Sequence, residues 1–148
     1  MKTSRFVLYA SLLVPVALLV ACNNQEQPAD PQEGIVMDYD SLVEYLEEAG
    51  ASVEPAGNVA QPFFTPLGQV INISGQDVQV FEYDSVADAD AESDFVSPDG
   101  SSVGTSIMTW IATPHFYKSG RLIVLYVGEQ NDTIDTLEAA LGIQFAGN

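Results

Sequence analysis

The sequence predicts an α+β domain, a mostly antiparallel sheet with helices packed on one face, on three observations. Short runs rich in Val, Ile and aromatic residues are bounded by Gly, Ser and Asp, the mark of strands joined by turns. Two segments, near residues 41–49 and 133–141, instead carry apolar residues at helical spacing. The order strand-strand-helix then occurs twice, at 69–94 and at 107–141, after one helix-strand unit, which raises the possibility of repeated units. Helices lying on one face of an antiparallel sheet would satisfy both copies.

The chain of 148 residues begins with a basic stretch holding Lys2 and Arg5, then an apolar run over 6–20 and the sequence Leu19-Val20-Ala21-Cys22. That order is the layout of an export signal. The apolar run is shorter than the roughly 20 residues that cross a bilayer as a helix. Leu-Val-Ala-Cys resembles the lipobox of bacterial lipoproteins. By that resemblance residues 1–21 are removed and Cys22, the only cysteine, takes a diacylglycerol and a further acyl chain of the palmitate type. More than one acyl chain gives stable anchoring without a membrane span. The competing reading is an ordinary secretory signal, or an uncleaved anchor, with an incidental cysteine. Residues 22–37 (CNNQEQPADPQEGIVM) follow as the lipidated Cys and a flexible tether, polar and twice interrupted by proline. Residues 38–148 remain as a single acidic domain of ordinary size, held by an apolar core since no disulfide is possible.

Within that domain, 41–49 reads as a helix, with Ser41 and Glu44 spaced as a capping box and Gly50 as its stop. A short strand is expected over 52–54. Residues 58–68 hold Pro62 and Pro66 around Phe63-Phe64 and read as a loop, its rings either capping the core or forming an exposed apolar lip. Residues 69–73 and 77–83 form a β-hairpin around Ser74-Gly75-Gln76, with Val78 and Val80 on one face and Phe81 and Tyr83 on the other. Asp84 or Ser85 caps a helix running to about residue 94, and Ser97-Pro98-Asp99-Gly100-Ser101 is a turn. Strands are expected over 107–112, 115–118 and 121–127, the last apolar on both faces and therefore central. A final helix starts at Asp132 or Thr133 and ends at Gly142.

Charge narrows the function classes. Both signal cations leave with the signal, so 2 basic residues, Lys118 and Arg121, face 21 acidic ones, a formal charge of −19. Such a field repels nucleic acid and anionic lipid, and nucleic-acid binding is not expected. Screening by salt would relieve the self-repulsion, which suits a saline habitat. Catalytic constellations are scarce. With His115 as the only histidine and Cys22 taken by the anchor, Cys/His catalysis and multi-histidine zinc sites are excluded. A small hydrolase-like enzyme using His115 with a carboxylate, or with nearby Ser119, is one alternative, although no nucleophile elbow surrounds that serine. Residues 84–94 place Asp88, Asp90, Glu92 and Asp94 at alternating positions, with Asp99 further on, as in a calcium loop. Ser93 stands where that loop needs glycine, and the interleaved alanines favour a solvated helix face. A calcium-binding envelope protein is thus the other alternative. No phosphate loop or dinucleotide fingerprint is present, and no cofactor or metal is implied.

The one chemically concentrated segment is 110–121 (WIATPHFYKSGR), which gathers the only tryptophan, the only histidine and both remaining cations. Trp110, His115, Tyr117, Lys118 and Arg121 are the candidate binding surface, where an anionic group could dock against aromatic rings. The competing reading has Lys118 and Arg121 paired with carboxylates and Trp110 and Phe116 filling the core. Taken with GQDVQVFEY, SPDG and LEAALG, the run PHFYKSGRLIVLYVG resembles small bacterial lipoproteins to which no activity is assigned. The resemblance covers most of 41–146 and implies an extracytoplasmic single domain. The expectation is a lipid-anchored, non-enzymatic binding or interaction domain on the cell membrane or outer membrane. Its partners would be the membrane, through the lipid on Cys22, and an envelope protein or small ligand.

Overall fold

Asp38 turns the chain into its first helix. Its carboxylate accepts the backbone N–H of Ser41 while the Ser41 hydroxyl accepts that of Asp38, a reciprocal cap that satisfies two orphan donors. In the computed structural model, which describes residues 36–147, α1 therefore spans Tyr39–Glu48 and starts two residues before the expected helix. Ser41 serves as the third helical residue and not as the cap. The export signal, Cys22 and most of the tether lie outside the described residues. Val36, the first described residue, is fully buried and its carbonyl accepts from the Ser119 hydroxyl, so residues 36–37, expected to belong to the tether, include one that packs in the core.

The strands are β1 (Val53–Val59), β2 (Gly68–Ile73), β3 (Gln76–Glu82), β4 (Ser102–Val103), β5 (Ser106–Ile107), β6 (Pro114–Ser119), β7 (Leu122–Val127) and β8 (Ala146–Gly147). Six of them form one sheet in the order β1-β2-β3-β7-β6-β8, every recorded pairing antiparallel. Ser74 and Gly75 close the β2–β3 hairpin with φ of 51° and 94°, the doubly left-handed turn that matches strand twist. The doubly apolar segment becomes β7, which is central as expected, between β3 and β6. β1 extends well past the expected 52–54 because Pro55 is tolerated on an edge strand, where the register shifts between Pro55 and Gly57.

The expected strand over 107–112 does not form beyond Ile107. β4 and β5 make a separate two-stranded hairpin, and Trp110 turns inward, its indole N–H donating to the Gly100 carbonyl at 2.7 Å. The neighbouring apolar residues face solvent, Ile107 at 88 % and Ile111 at 99 % exposure. Apolar content suggests a strand, but of this run it is Trp110 that packs against the core, partly buried on the aromatic layer.

Strand alternation gives the sheet two buried faces. On one, Ile71, Val80, Val124 and Tyr126 meet Leu42 and Leu46 of α1 and Leu137 and Leu141 of α3 (Asn131–Leu141). On the other, Phe81, Ile123, Leu125 and Phe116 meet Ala89 of α2 (Val86–Ser93) and the ring of Phe64. The α+β class with its antiparallel sheet holds, whereas the helices do not all share one face: two lie on one side and α2 on the other. The order β2-β3-α2 and β6-β7-α3 does repeat. Neighbouring antiparallel strands are exchanged only by an axis normal to the sheet, which preserves faces, so no such axis relates α2 to α3.

Candidate functional site

The five side chains of the 110–121 segment do not converge on one exposed surface. β6 sends His115 and Tyr117 to the α1/α3 face and Phe116 and Lys118 to the α2 face, as alternation requires. Tyr117 is fully buried. Trp110 packs edge-on against Phe63 and Phe116 in the aromatic cluster over the α2 face. Lys118 pairs with Asp90 of α2 at 2.5 Å, and Arg121 pairs with Glu82 at 2.6 Å and approaches Asp38 at 3.8 Å. The pairing with carboxylates and the core-filling aromatics are what the geometry contains.

His115 is 7 % exposed and stacks on Tyr126. Its Nδ1 lies 2.7 Å from Gln144 Oε1 and its Nε2 3.1 Å from the Gly128 carbonyl. Gln144 Nε2 donates to the Gly147 carbonyl, which sets the amide so that its oxygen faces the ring. Both ring nitrogens therefore face acceptors; a doubly protonated ring serves both and a neutral one serves only one. The role of this residue is to tie the β8 region to the 127–129 turn. Ser119 is not paired with it, since the Ser119 hydroxyl donates to the Val36 carbonyl, so a serine nucleophile with a histidine base is not assembled.

A different region is concave. The loop carrying Thr65 and Pro66, the end of β3 and one flank of α2 enclose a cavity of about 470 Å³, within the range that takes a small ligand. Ser85 caps α2, accepting from Asp88 N, and the helix then presents Asp88, Ala91 and Glu92 to the cavity. Tyr83, Pro66 and the exposed ring of Phe95 supply apolar wall. Glu82, Asp84, Asp88 and Glu92 make four of its nine lining residues acidic.

The carboxylates of this cavity are unequally paired. Of the two cations among the described residues, Lys118 pairs with Asp90, and Arg121 with Asp38 and with Glu82, itself a lining residue. Asp84, Asp88 and Glu92 consequently face the cavity without a compensating charge, Asp88 accepting only from the Ser85 hydroxyl at 2.6 Å and Glu92 from the Thr65 hydroxyl at 2.5 Å. Tyr83 contributes to the wall but is only 5 % exposed, and its hydroxyl is buried out of reach of solvent with no hydrogen-bond partner. Such a group carries a desolvation cost of about 1–3 kcal/mol. Burial, and then the negative field of Glu92, push the Tyr83 phenol well above its ordinary pKa, so it stays protonated.

Among the described residues, no three His, Cys, Asp or Glu side chains converge so as to hold a metal ion. The acidic run 84–94 therefore does not close around a cation as a calcium loop does; it is α2 and its cap. No helix among the described residues is long and apolar enough to cross a membrane. The sequence reads Asp88 and Glu92 as a solvated helix face, gives Tyr83 a strand face and Asp84 a possible helix cap, and marks none of them, nor Phe95, as a binding residue. The spacing of 84, 88 and 92 at intervals of four was the available signal. Nothing in the sequence says that a proline-bounded loop lies opposite that face. No protein family, curated protein or solved structure matches the chain.

Proposed function

We propose that this protein is a lipid-anchored, non-enzymatic binding domain facing outside the cytoplasm, and that its ligand site is the cavity between the Thr65-Pro66 loop and α2. The anchor rests on the Leu-Val-Ala-Cys motif ending at Cys22 and on the signal-like layout before it. The observation that carries the binding reading is the recess itself, of a volume that takes a small ligand and bordered by Asp84, Asp88 and Glu92 together with the apolar side chains of Pro66, Ala91 and Phe95. A binding role fits better than hydrolysis, because the single histidine is committed to Gln144 and the Gly128 carbonyl.

The test is native mass spectrometry of the full chain released from membranes in mild detergent, wild type beside A91W. Ala91 lines the cavity, so tryptophan there fills it without altering a charge. A small-molecule adduct on the wild type that A91W lacks is expected; equal adducts, or none on either, would count against the cavity as the site. The same spectra report the anchor: wild type should begin at Cys22 with added lipid mass, and C22A should lack it.

A further inference from the structure

His115 is the chain's only histidine, and so its only side chain whose ordinary titration falls between about pH 5 and 8. It stands where three elements meet. Its Nδ1 lies 2.7 Å from Gln144 Oε1, in the segment leading to β8, and its Nε2 lies 3.1 Å from the carbonyl of Gly128, in the turn after β7. Gln144 is held at its other end, since its Nε2 donates to the Gly147 carbonyl of β8. Both oxygens facing the ring can only accept, so the row Gly128, His115, Gln144, Gly147 is complete when the ring carries two protons.

Loss of one proton breaks that row wherever it occurs. If Nδ1 gives it up, its lone pair faces Gln144 Oε1, and the amide must turn round to donate. Turning sets the amide oxygen against the Gly147 carbonyl, and the bond to β8 is lost. If Nε2 gives it up instead, the ring and the Gly128 carbonyl face each other lone pair to lone pair, and the 127–129 turn is released. At 7 % exposure the ring has little water to take the missing place. β8 has few other ties: it pairs only with His115 and Phe116, helped by the Phe145 N–H on the Phe116 carbonyl and the Gly147 N–H on the Pro98 carbonyl. No charged side chain lies in 143–147 to hold it ionically.

The titratable groups around the ring come from three places. Tyr126 of β7 stacks on it at 5.8 Å. Glu129, beside Gly128, feels its charge, although the Thr113 hydroxyl and backbone N–H are what chiefly hold that carboxyl below the usual range. α3 brings Glu138 and Asp135 near Tyr117, two residues along the same face of β6. Carboxyl groups ordinarily titrate below this window and phenols above it, so the imidazole is the group that changes charge. We propose that His115 is a proton-operated latch: the doubly protonated ring fastens β8 over His115 and Phe116, and loss of a proton frees β8 and uncovers that edge of β6. The latch does not depend on the cavity being a ligand site.

The test is amide hydrogen exchange of the full chain in mild detergent, read by NMR from about pH 5 to 8 and corrected for intrinsic rates, with the His115 ring protons followed in the same samples. As the ring loses its proton, protection of the Phe145 and Gly147 amides should fall at least about five-fold, the worth of one ordinary hydrogen bond. Protection of the Tyr83 amide, which donates to the Arg121 carbonyl, should hold. H115Q cannot titrate and should show no such step. If H115Q fails to fold, Q144E sets a fixed acceptor against Nδ1 and should carry the ring titration and the loss of Phe145 protection together to higher pH. A ring that titrates with no change at Phe145 and Gly147 would overturn the proposal. So would an equal fall at Tyr83, which would mean that the whole domain loosens, a step that persists in H115Q, or a step and a ring titration that part company in Q144E. A ring that keeps one charge state across the window would overturn it too.

Discussion

The two strand-strand-helix units, β2-β3-α2 and β6-β7-α3, share an order of elements and differ in what their helices press onto the sheet. α3 buries Thr133, Leu137, Ala140 and Leu141, enough bulk to reach the sheet along its length. α2 buries only Ala89 and Ser93. The space that small residues leave on the α2 face is filled on one side by Phe64, Phe116 and Trp110, whose rings meet edge to face. The cavity lies apart from those small residues, along the flank of α2 that carries Asp88, Ala91 and Glu92. The same topology thus presses one helix onto the sheet with large residues and the other with alanine and serine.

Truncating one residue in each unit should expose that difference. Leu137→Ala removes a fully buried side chain and should cost about 2–5 kcal/mol, whereas Ala89→Gly should cost about 1 kcal/mol, chiefly helix propensity. Denaturant unfolding measures both, and equal costs would mean that α3 is no more tightly packed than α2.

Next in size is Gly68→Ala. A Cβ at Gly68 would lie 2.5 Å from Cε1 of Phe81, a ring already hemmed in by Phe64, so about 1–3 kcal/mol of strain is expected. A melting temperature unchanged from wild type would show that the aromatic layer yields more readily than the close ring contact implies.

The two orphaned tyrosines sharpen the comparison further. Tyr83 and Tyr117 each bury an unpartnered hydroxyl, one beside α2 and one under α3, and burial raises the pKa of both. Replacing either by phenylalanine should be neutral or stabilise the ligand-free protein by up to about 1 kcal/mol, since the cost of desolvating the hydroxyl disappears. Neither should change ligand binding, because neither hydroxyl reaches solvent. A loss of binding in Y83F would place its hydroxyl in the cavity and set the α2 layer apart.

The smallest effect is expected at the turn after α2. Asp99 accepts from the Ser101 backbone N–H and from the Ser97 and Ser101 hydroxyls, which hold its carboxyl down at about 2. Because the folded value lies below the ordinary 3.8, the turn's contribution is complete above that value and is lost as pH falls through about 2. Amide chemical shifts of 97–101 should follow this titration, while those of the α3 unit should not. Titration of the turn near 3.8 would show that the three hydrogen bonds do not persist in solution.

Much of the fold was legible because local chemistry carried it. Alternation in 77–83 assigns Val78 and Val80 to one face and Phe81 to the other, Ser74-Gly75 marks the hairpin, and the doubly apolar 121–127 announces a central strand. The errors fell where local signals were compatible with two outcomes. Apolar residues at 107–112 fit a strand, yet the inward pull on Trp110 left Ile107 and Ile111 in solvent. Segment 110–121 was chemically rich, yet strand alternation sent its neighbouring side chains to opposite faces and the cations found carboxylates on α2 and β3.

By itself the sequence determined the α+β class, the hairpins, the cap of α2, the strongly acidic composition and the motif at Cys22, since each depends on residues near one another in the chain. Only the tertiary structure decided that α2 crosses to the face opposite α1 and α3, and that the Thr65-Pro66 loop comes to rest against it. The cavity joins residues 65 and 92, whose contact is a hydrogen bond across 27 positions. Asp84, Asp88 and Glu92 are left without a cation because Lys118 pairs with Asp90 and Arg121 with Glu82 and Asp38, and periodicity within one segment cannot report a balance settled between segments.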